Sequence, residues 1–148
     1  MRALTPIFAL LLIGGLAAGQ ATVPYRLIGT RHSEPTDAIR EFEYNISVEQ
    51  NLDVTSIRNT ICQVVKSEKP AGYEILGVTI YYKMERYIPE EGMDATLAAE
   101  FREKRIAQYH WNKDSPKDKR RLVVTKDAKG QKLAEWRFVD FDHMKACR

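Results

Sequence analysis

Residues 38–82 read AIREFEYNISVEQNLDVTSIRNTICQVVKSEKPAGYEILGVTIYY, and they hold a strand pattern, a helix pattern and a second strand pattern in succession. Over 41–48, apolar residues alternate with polar ones, which is the period of a strand with one buried face. The apolar positions of this strand are Phe42, Tyr44, Ile46 and Val48. The stretch therefore predicts a strand–helix–strand unit that serves as the architectural core, and it contains no catalytic motif.

The middle of the stretch is typical of one amphipathic helix. Asp53 is a good N-cap, because its carboxylate accepts hydrogen bonds from the unpaired amides of a first helical turn. We expect the helix to end at about Lys69, before Pro70. Its apolar stripe comprises Val54, Ile57, Ile61, Val64 and Val65. Residues 73–82 have apolar residues at both odd and even positions, so both faces of the strand are apolar. They predict a central strand covered on both faces, with the helix across one of them.

The N-terminus predicts export. A short basic start, an uncharged apolar run over 7–16 and small residues at 17–19 match a signal peptide over 1–19, with cleavage after Gly19 or, as the alternative, after Ala21. A retained membrane anchor needs about 20 apolar residues, more than stand here. No cysteine directly follows the run to accept a lipid. We expect a single domain over 20–148, periplasmic or secreted, with no stable membrane insertion after cleavage.

The charge of the expected mature chain is nearly balanced. Removing Arg2 leaves 22 basic residues against 20 acidic ones, so bulk charge does not indicate a nucleic-acid partner. The distribution is uneven, because basic residues are concentrated over 113–121. Such a run is typical of a solvated loop, and the alternative is a contact with a polyanion. The candidate contact residues are Lys117, Lys119, Arg120 and Arg121.

The chain has two cysteines, Cys62 and Cys147. In an oxidising compartment only one intramolecular pairing is open to them, so we expect a disulfide that fastens the C-terminal tail to the helix. A reactive thiol with His143 as its base is the alternative.

The remaining chain predicts further strands. We expect a peripheral strand over 25–30, a core strand over 95–101, a short strand over 106–111, and a hairpin of 121–126 with 132–139 around Gly130. A short helical turn is expected in the tail, before Cys147. Asn45 begins a glycosylation sequon, which we interpret as an ordinary surface asparagine.

No set of residues converges on a catalytic pattern, so we assign no catalytic, cofactor-binding or metal residue. His110 beside Trp111 is the most enzyme-like pair, but it lacks a serine elbow, a second histidine at metal spacing or a phosphate loop. Glu90 and Glu91 are adjacent carboxylates that we expect to be hydrated in a loop. The tyrosines at 81, 82 and 87 are expected to be packing residues rather than a ligand platform.

The order of these elements resembles that of small exported bacterial α+β domains of unassigned function. The likeness lies in 40–48, in the helix with Ile57 and Ile61, in 80–82 and in 97–101, and it covers roughly 40–111. It implies bacterial export and an α+β sheet with one helix, and it assigns no active residue.

The sequence thus predicts an α+β fold, a mainly antiparallel sheet of five or six strands with one main helix on one face. We expect a non-enzymatic binding or interaction domain with an unknown protein partner in the envelope or outside the cell, an inhibitor among the options. One alternative is a hydrolase-like enzyme using His110 with Glu100 or Asp94. Another is a polyanion-binding protein using the 113–121 loop.

Overall fold

A computed structural model describes residues 23–34, 36–115 and 121–148. The expected signal peptide lies outside this part of the chain, as do three of the four candidate polyanion contacts, Lys117, Lys119 and Arg120.

The described chain forms one six-stranded sheet with helices. The strands are β1 (Tyr25–His32), β2 (Glu41–Val48), β3 (Ile75–Tyr82), β4 (Arg105–Asn112), β5 (Arg121–Lys126) and β6 (Lys132–Asp140). The helices are α1 (Val54–Glu68), α2 (Ala95–Lys104) and α3 (His143–Ala146), with a single 3₁₀ turn at Glu90–Gly92. The strands stand side by side in chain order. The predicted α+β class and mainly antiparallel sheet are confirmed.

One neighbouring pair in this sheet is parallel. β2 and β3 run in the same direction, and α1 connects them, because parallel neighbours need a long crossover. The other four neighbouring pairs are antiparallel. The strand–helix–strand prediction for 38–82 is therefore correct in type and order.

α1 begins and ends as its sequence predicts. Asp53 is the N-cap, and its carboxylate accepts a hydrogen bond of 2.7 Å from the backbone amide of Ser56. The helix ends at Lys69, which adopts a left-handed conformation and donates its backbone N–H to the carbonyl of Val65. The buried face of α1 belongs to one hydrophobic cluster with the buried face of the sheet. Its members include Ile57, Ile61 and Val64 from the helix, and Ile46, Val78 and Tyr109 from the strands.

The prediction of a core strand over 95–101 is wrong, because these residues form α2. Asp94 caps this helix by accepting a hydrogen bond of 2.8 Å from the amide of Leu97. Leu97 and Phe101 are one helical turn apart, and both pack against Tyr81 and its neighbours at one end of β3. Their spacing of four satisfies a helix as well as an alternating strand, and the good helix formers around them favour the helix.

The other predicted strands are present. β1 is an edge strand, β4 covers the predicted 106–111, and β5 with β6 form the predicted hairpin. Gly130 in the hairpin turn has a φ of 82°, a conformation that L side chains rarely adopt. β3 is an interior strand as predicted, but α2 covers only the Tyr81 end of its second face.

The C-terminal tail is fastened to α1. The Sγ atoms of Cys62 and Cys147 are joined by a disulfide bond, which closes a loop of 85 residues. α3, just before Cys147, carries the buried His143, and Phe141 belongs to the main core cluster. The tail and α1 thus cover the same face of the sheet.

In the described ranges no helix is both long enough and apolar enough to span a bilayer.

Candidate functional site: a groove on the open face of the sheet

The face of the sheet opposite α1 carries a groove with a volume of about 580 Å³. This volume falls within the usual range of small-molecule sites, about 300–1,000 Å³. Strands β1 to β4 supply its floor, and the segment after β3 supplies its wall through Tyr87, Pro89 and Glu91.

The wall lies close to β1 because of a glycine. A Cβ atom at Gly29 would stand only 2.8 Å from the Cβ of Tyr87, so a side chain there would push the wall outward. The amide of Tyr87 donates a hydrogen bond of 3.2 Å to the carbonyl of Ile28, which fixes the wall on the strand. Tyr87 also contacts Phe101 edge-to-face, so α2 supports the wall from behind.

A row of neutral polar side chains crosses the groove floor. Asn45, Thr79 and Gln108 are direct cross-strand neighbours on β2, β3 and β4. The carbonyl oxygen of the Gln108 side chain accepts a long hydrogen bond of 3.4 Å from Arg105. Asn45 is 5% exposed, yet its amide has no hydrogen-bond partner in the described part of the chain. The Asn45 amide atoms are not among the buried polar atoms without a partner, so they reach the groove, where a ligand or water can pair with them.

A second row, one step along the strands, carries charge. Arg31, Glu43, Gly77, His110 and Arg121 are successive neighbours from β1 to β5. The guanidinium of Arg31 lies 4.0 Å from the carboxylate of Glu43, a long and solvent-exposed ion pair. Gly77 has no side chain, and the side chain of Glu43 packs over it, because a Cβ at Gly77 would stand 3.2 Å from the Glu43 Cγ.

Beyond the groove, towards β6, the same face carries two exposed aromatic rings. Trp136 is 53% exposed and Phe138 is 58% exposed. The Arg105 guanidinium lies 5.6 Å from the centre of the Trp136 ring, and that of Arg121 lies 5.4 Å from the Phe138 ring. Phe138 is in line with the neutral row, because Gln108 neighbours Val123 and Val123 neighbours Phe138. We call this pair of rings the aromatic strip.

The structure separates the enzyme-like pair His110 and Trp111. His110 is exposed and lines the groove, whereas Trp111 is buried on the opposite face beside His143. In residues 23–34, 36–115 and 121–148, no hydrogen bond joins the His110 ring to Glu100, to Asp94 or to any other carboxylate. The geometry therefore gives His110 neither a partner to orient it nor one to activate it.

His143, the other histidine considered, serves the tail. Its Nε2 lies 2.7 Å from the hydroxyl of Tyr73, and its Nδ1 lies 2.9 Å from that of Tyr109. Because Cys147 is bonded to Cys62, the thiol that His143 would have activated does not exist. Burial raises the pKa of Tyr73, and the charge of Asp142 adds to the effect, so the hydroxyl remains available as a neutral hydrogen-bonding group.

Of the predicted polyanion contacts, the described one is Arg121. It begins β5, and its charge lies over Phe138 on the open face. Among the described residues there is no group of three or more potential metal ligands.

Sequence reasoning missed the neutral row. Asn45 was interpreted as a surface asparagine, but β2 and the surrounding wall enclose it. The available signal was that β2 alternates, which assigns Asn45 to the non-core face. Its burial depends on strand neighbours and on a wall that are distant in sequence.

No protein-family model, no curated protein and no solved structure is significantly similar to this chain.

Proposed function

We propose that the chain is an exported, non-enzymatic binding domain that takes its ligand in the groove on the open face of the sheet. The observation that carries the proposal is Asn45, a residue only 5% exposed whose amide faces the groove and has no hydrogen-bond partner among the described residues.

The Asn45 amide is accessible from the groove. The side chain makes no hydrogen bond within the described residues, and its oxygen and nitrogen are not buried from solvent, so both face the groove. A ligand that supplies a donor and an acceptor can therefore replace water on this amide.

Export is supported by two independent features. The first 19 residues have the charge and apolar pattern of a signal peptide, and the Cys62–Cys147 disulfide is typical of proteins that fold in an oxidising compartment.

The alternatives fit the groove less well. An enzyme using His110 lacks an oriented acid–base pair, as described above. A polyanion in the groove would meet Glu43 and Glu91, whose charges oppose those of Arg31 and Arg105. Polyanion binding by the 113–121 loop stays a prediction, because Lys117, Lys119 and Arg120 lie outside the described residues.

Two variants that each replace a glutamine with a tryptophan test the proposal. Gln108→Trp places a bulky ring in the groove, and Gln131→Trp places one in the β5–β6 turn, away from the lining residues. The mature protein and both variants are immobilised and exposed to envelope and secreted extracts, and retained molecules are identified by mass spectrometry. We expect a ligand that the parent and Gln131→Trp retain and Gln108→Trp loses. Equal retention by all three would show that the groove is not the binding surface.

A further inference from the structure

The groove and the aromatic strip together restrict the chemistry of the ligand. This inference rests on the proposed function and specifies the ligand class of the same site.

The first restriction is hydrogen bonding. Asn45 and the amide end of Gln108 offer donors and an acceptor, and the Thr79 hydroxyl does both. The best match is a ligand whose groups also donate and accept at once, as hydroxyl groups do. Carboxylates and phosphates only accept, so they would leave the acceptor oxygen of Asn45 unpaired.

The second restriction is charge. The lining contains two arginines, Arg31 and Arg105, and two described carboxylates, Glu43 and Glu91, so the formal charge is balanced apart from His110. Such a groove does not select for a charged ligand.

The third restriction is shape. Gly77 and Thr79 form the centre of the floor, and neither offers an apolar pocket of the kind that anchors a peptide side chain. The floor instead runs across strands towards Phe138. Four strand spacings separate Asn45 from Phe138, roughly 19 Å at about 4.8 Å per strand. The ligand that fits is an elongated chain rather than a compact molecule.

The last restriction comes from the aromatic strip. Trp136 and Phe138 are exposed although each is large and apolar, and Arg105 and Arg121 hold the two rings in place. A sugar ring presents polar hydroxyls at its rim and apolar C–H groups on its faces. It can therefore hydrogen-bond in the groove and stack on the strip.

We propose that the groove and the aromatic strip bind a neutral oligosaccharide, with hydroxyl groups on Asn45, Thr79 and Gln108 and further sugar rings on Phe138 and Trp136.

The test uses calorimetric titration of the disulfide-bonded mature protein. The probes are neutral tetrasaccharides of β-1,4-linked N-acetylglucosamine, β-1,4-linked glucose and α-1,4-linked glucose, with a heparin tetrasaccharide and a tetra-alanine peptide for comparison. We expect at least one neutral tetrasaccharide to bind with similar affinity at about 0.05 and about 0.5 M NaCl, since no ionic contact is involved.

Variants locate the binding. Gln108→Ala should weaken it about tenfold, the loss expected for one well-made hydrogen bond, and Gln131→Ala should leave it unchanged. Trp136→Ala should lower the affinity for the tetrasaccharide. The affinity for the corresponding monosaccharide, which is low in the parent, should not change. All three altered residues are exposed, so we expect each variant to fold, and circular dichroism verifies this.

The outcomes separate the two proposals. If no neutral tetrasaccharide binds, or if Gln108→Ala has no effect, the oligosaccharide assignment is wrong. If the peptide or heparin probe binds instead and Gln108→Trp abolishes that binding, the proposed function stands and the ligand class falls. If binding of every probe survives Gln108→Trp, both proposals fall.

Discussion

Asn45 and Ser47 lie two residues apart on the same face of β2, and both are buried. Their hydrogen bonding differs. The Ser47 hydroxyl accepts a bond of 2.8 Å from the amide of Met84, whereas the Asn45 amide is unpaired among the described residues. The pair offers a direct measure of which buried polar group serves the fold.

Replacing these two residues should change stability to different extents. Asn45→Leu removes an amide that faces the groove and that no described residue pairs, so the free energy of unfolding should change by less than about 1 kcal/mol. Ser47→Ala leaves the Met84 amide without an acceptor and should lower it by about 1–3 kcal/mol. Urea unfolding measures both changes, and a loss of more than about 1 kcal/mol in Asn45→Leu would mean that Asn45 has a structural role.

Tyr44 makes stability depend on alkaline pH. Burial, reinforced by the Glu68 carboxylate, raises the pKa of Tyr44 to about 12 in the folded protein, against about 10 in an unfolded chain. Between these values the unfolded state releases the proton and the folded state keeps it. The stabilisation is therefore complete below about pH 10 and is lost as the pH rises towards 12.

Tyr44→Phe should weaken this dependence. On raising the pH from about 8 to about 11, the parent should lose about 1 kcal/mol more unfolding free energy than the variant. Burial also raises the pKa of Tyr25 and Tyr73, so a smaller slope should remain. Identical pH profiles from urea unfolding would contradict the assigned role of Tyr44.

At the scale of elements, the wall of the groove depends on α2. Phe101 projects from this helix and contacts the rings of Tyr81 and Tyr87 at centroid distances of 5.4 and 5.7 Å, both edge-to-face. Tyr87 is a wall residue and Tyr81 lies at the end of the floor. α2 therefore positions the site without supplying its polar groups.

Phe101→Ala should weaken the packing of α2 against Tyr81 and Tyr87. Removing a buried aromatic ring costs about 3–5 kcal/mol, and amide hydrogens over 95–104 should exchange faster than in the parent. Glu100→Ala is the matched control, because it removes only an exposed ion pair with Lys104 and should cost less than about 1 kcal/mol. Equal effects of the two substitutions would mean that Phe101 does not anchor α2.

The elements also show what the sequence could predict. α1 was predictable because three features agree. The apolar stripe has the period of a helix, Asp53 marks the start and Pro70 marks the end. α2 was not, because Leu97 and Phe101 fit both a strand and a helix, and only the Asp94 cap and the helix-forming residues around them favour the helix. The groove was beyond prediction, because its floor requires the register of four strands and its wall requires Tyr87 to lie on Gly29.

At the scale of the whole molecule, the two faces of the sheet are covered differently. One face is covered by α1 and by the tail, which the Cys62–Cys147 disulfide and the contacts of His143 with Tyr73 and Tyr109 secure. The other face is left largely to solvent and carries the groove and the aromatic strip. The proposed binding surface and the disulfide-fastened tail thus lie on opposite sides of one sheet.

Replacing both cysteines with serine should lower the free energy of unfolding by about 4 kcal/mol, since the bond closes a loop of 85 residues. Urea unfolding of this variant measures the loss, and the reduced parent should match it. The groove lies on the opposite face, so ligand affinity should be preserved wherever the variant remains folded. Loss of affinity in the folded variant would contradict the separation of the two faces.

The central claim is that the open face binds a ligand, and chemical-shift mapping by ¹H–¹⁵N NMR tests it most directly. The disulfide-bonded protein over residues 20–148 is titrated with the neutral tetrasaccharides, the peptide and the heparin tetrasaccharide. The account predicts that at least one probe shifts the amide signals of Asn45, Thr79 and Gln108 while those of α1 stay in place. Shifts confined to α1, the tail or the 113–121 loop, or no shift with any probe, would contradict it.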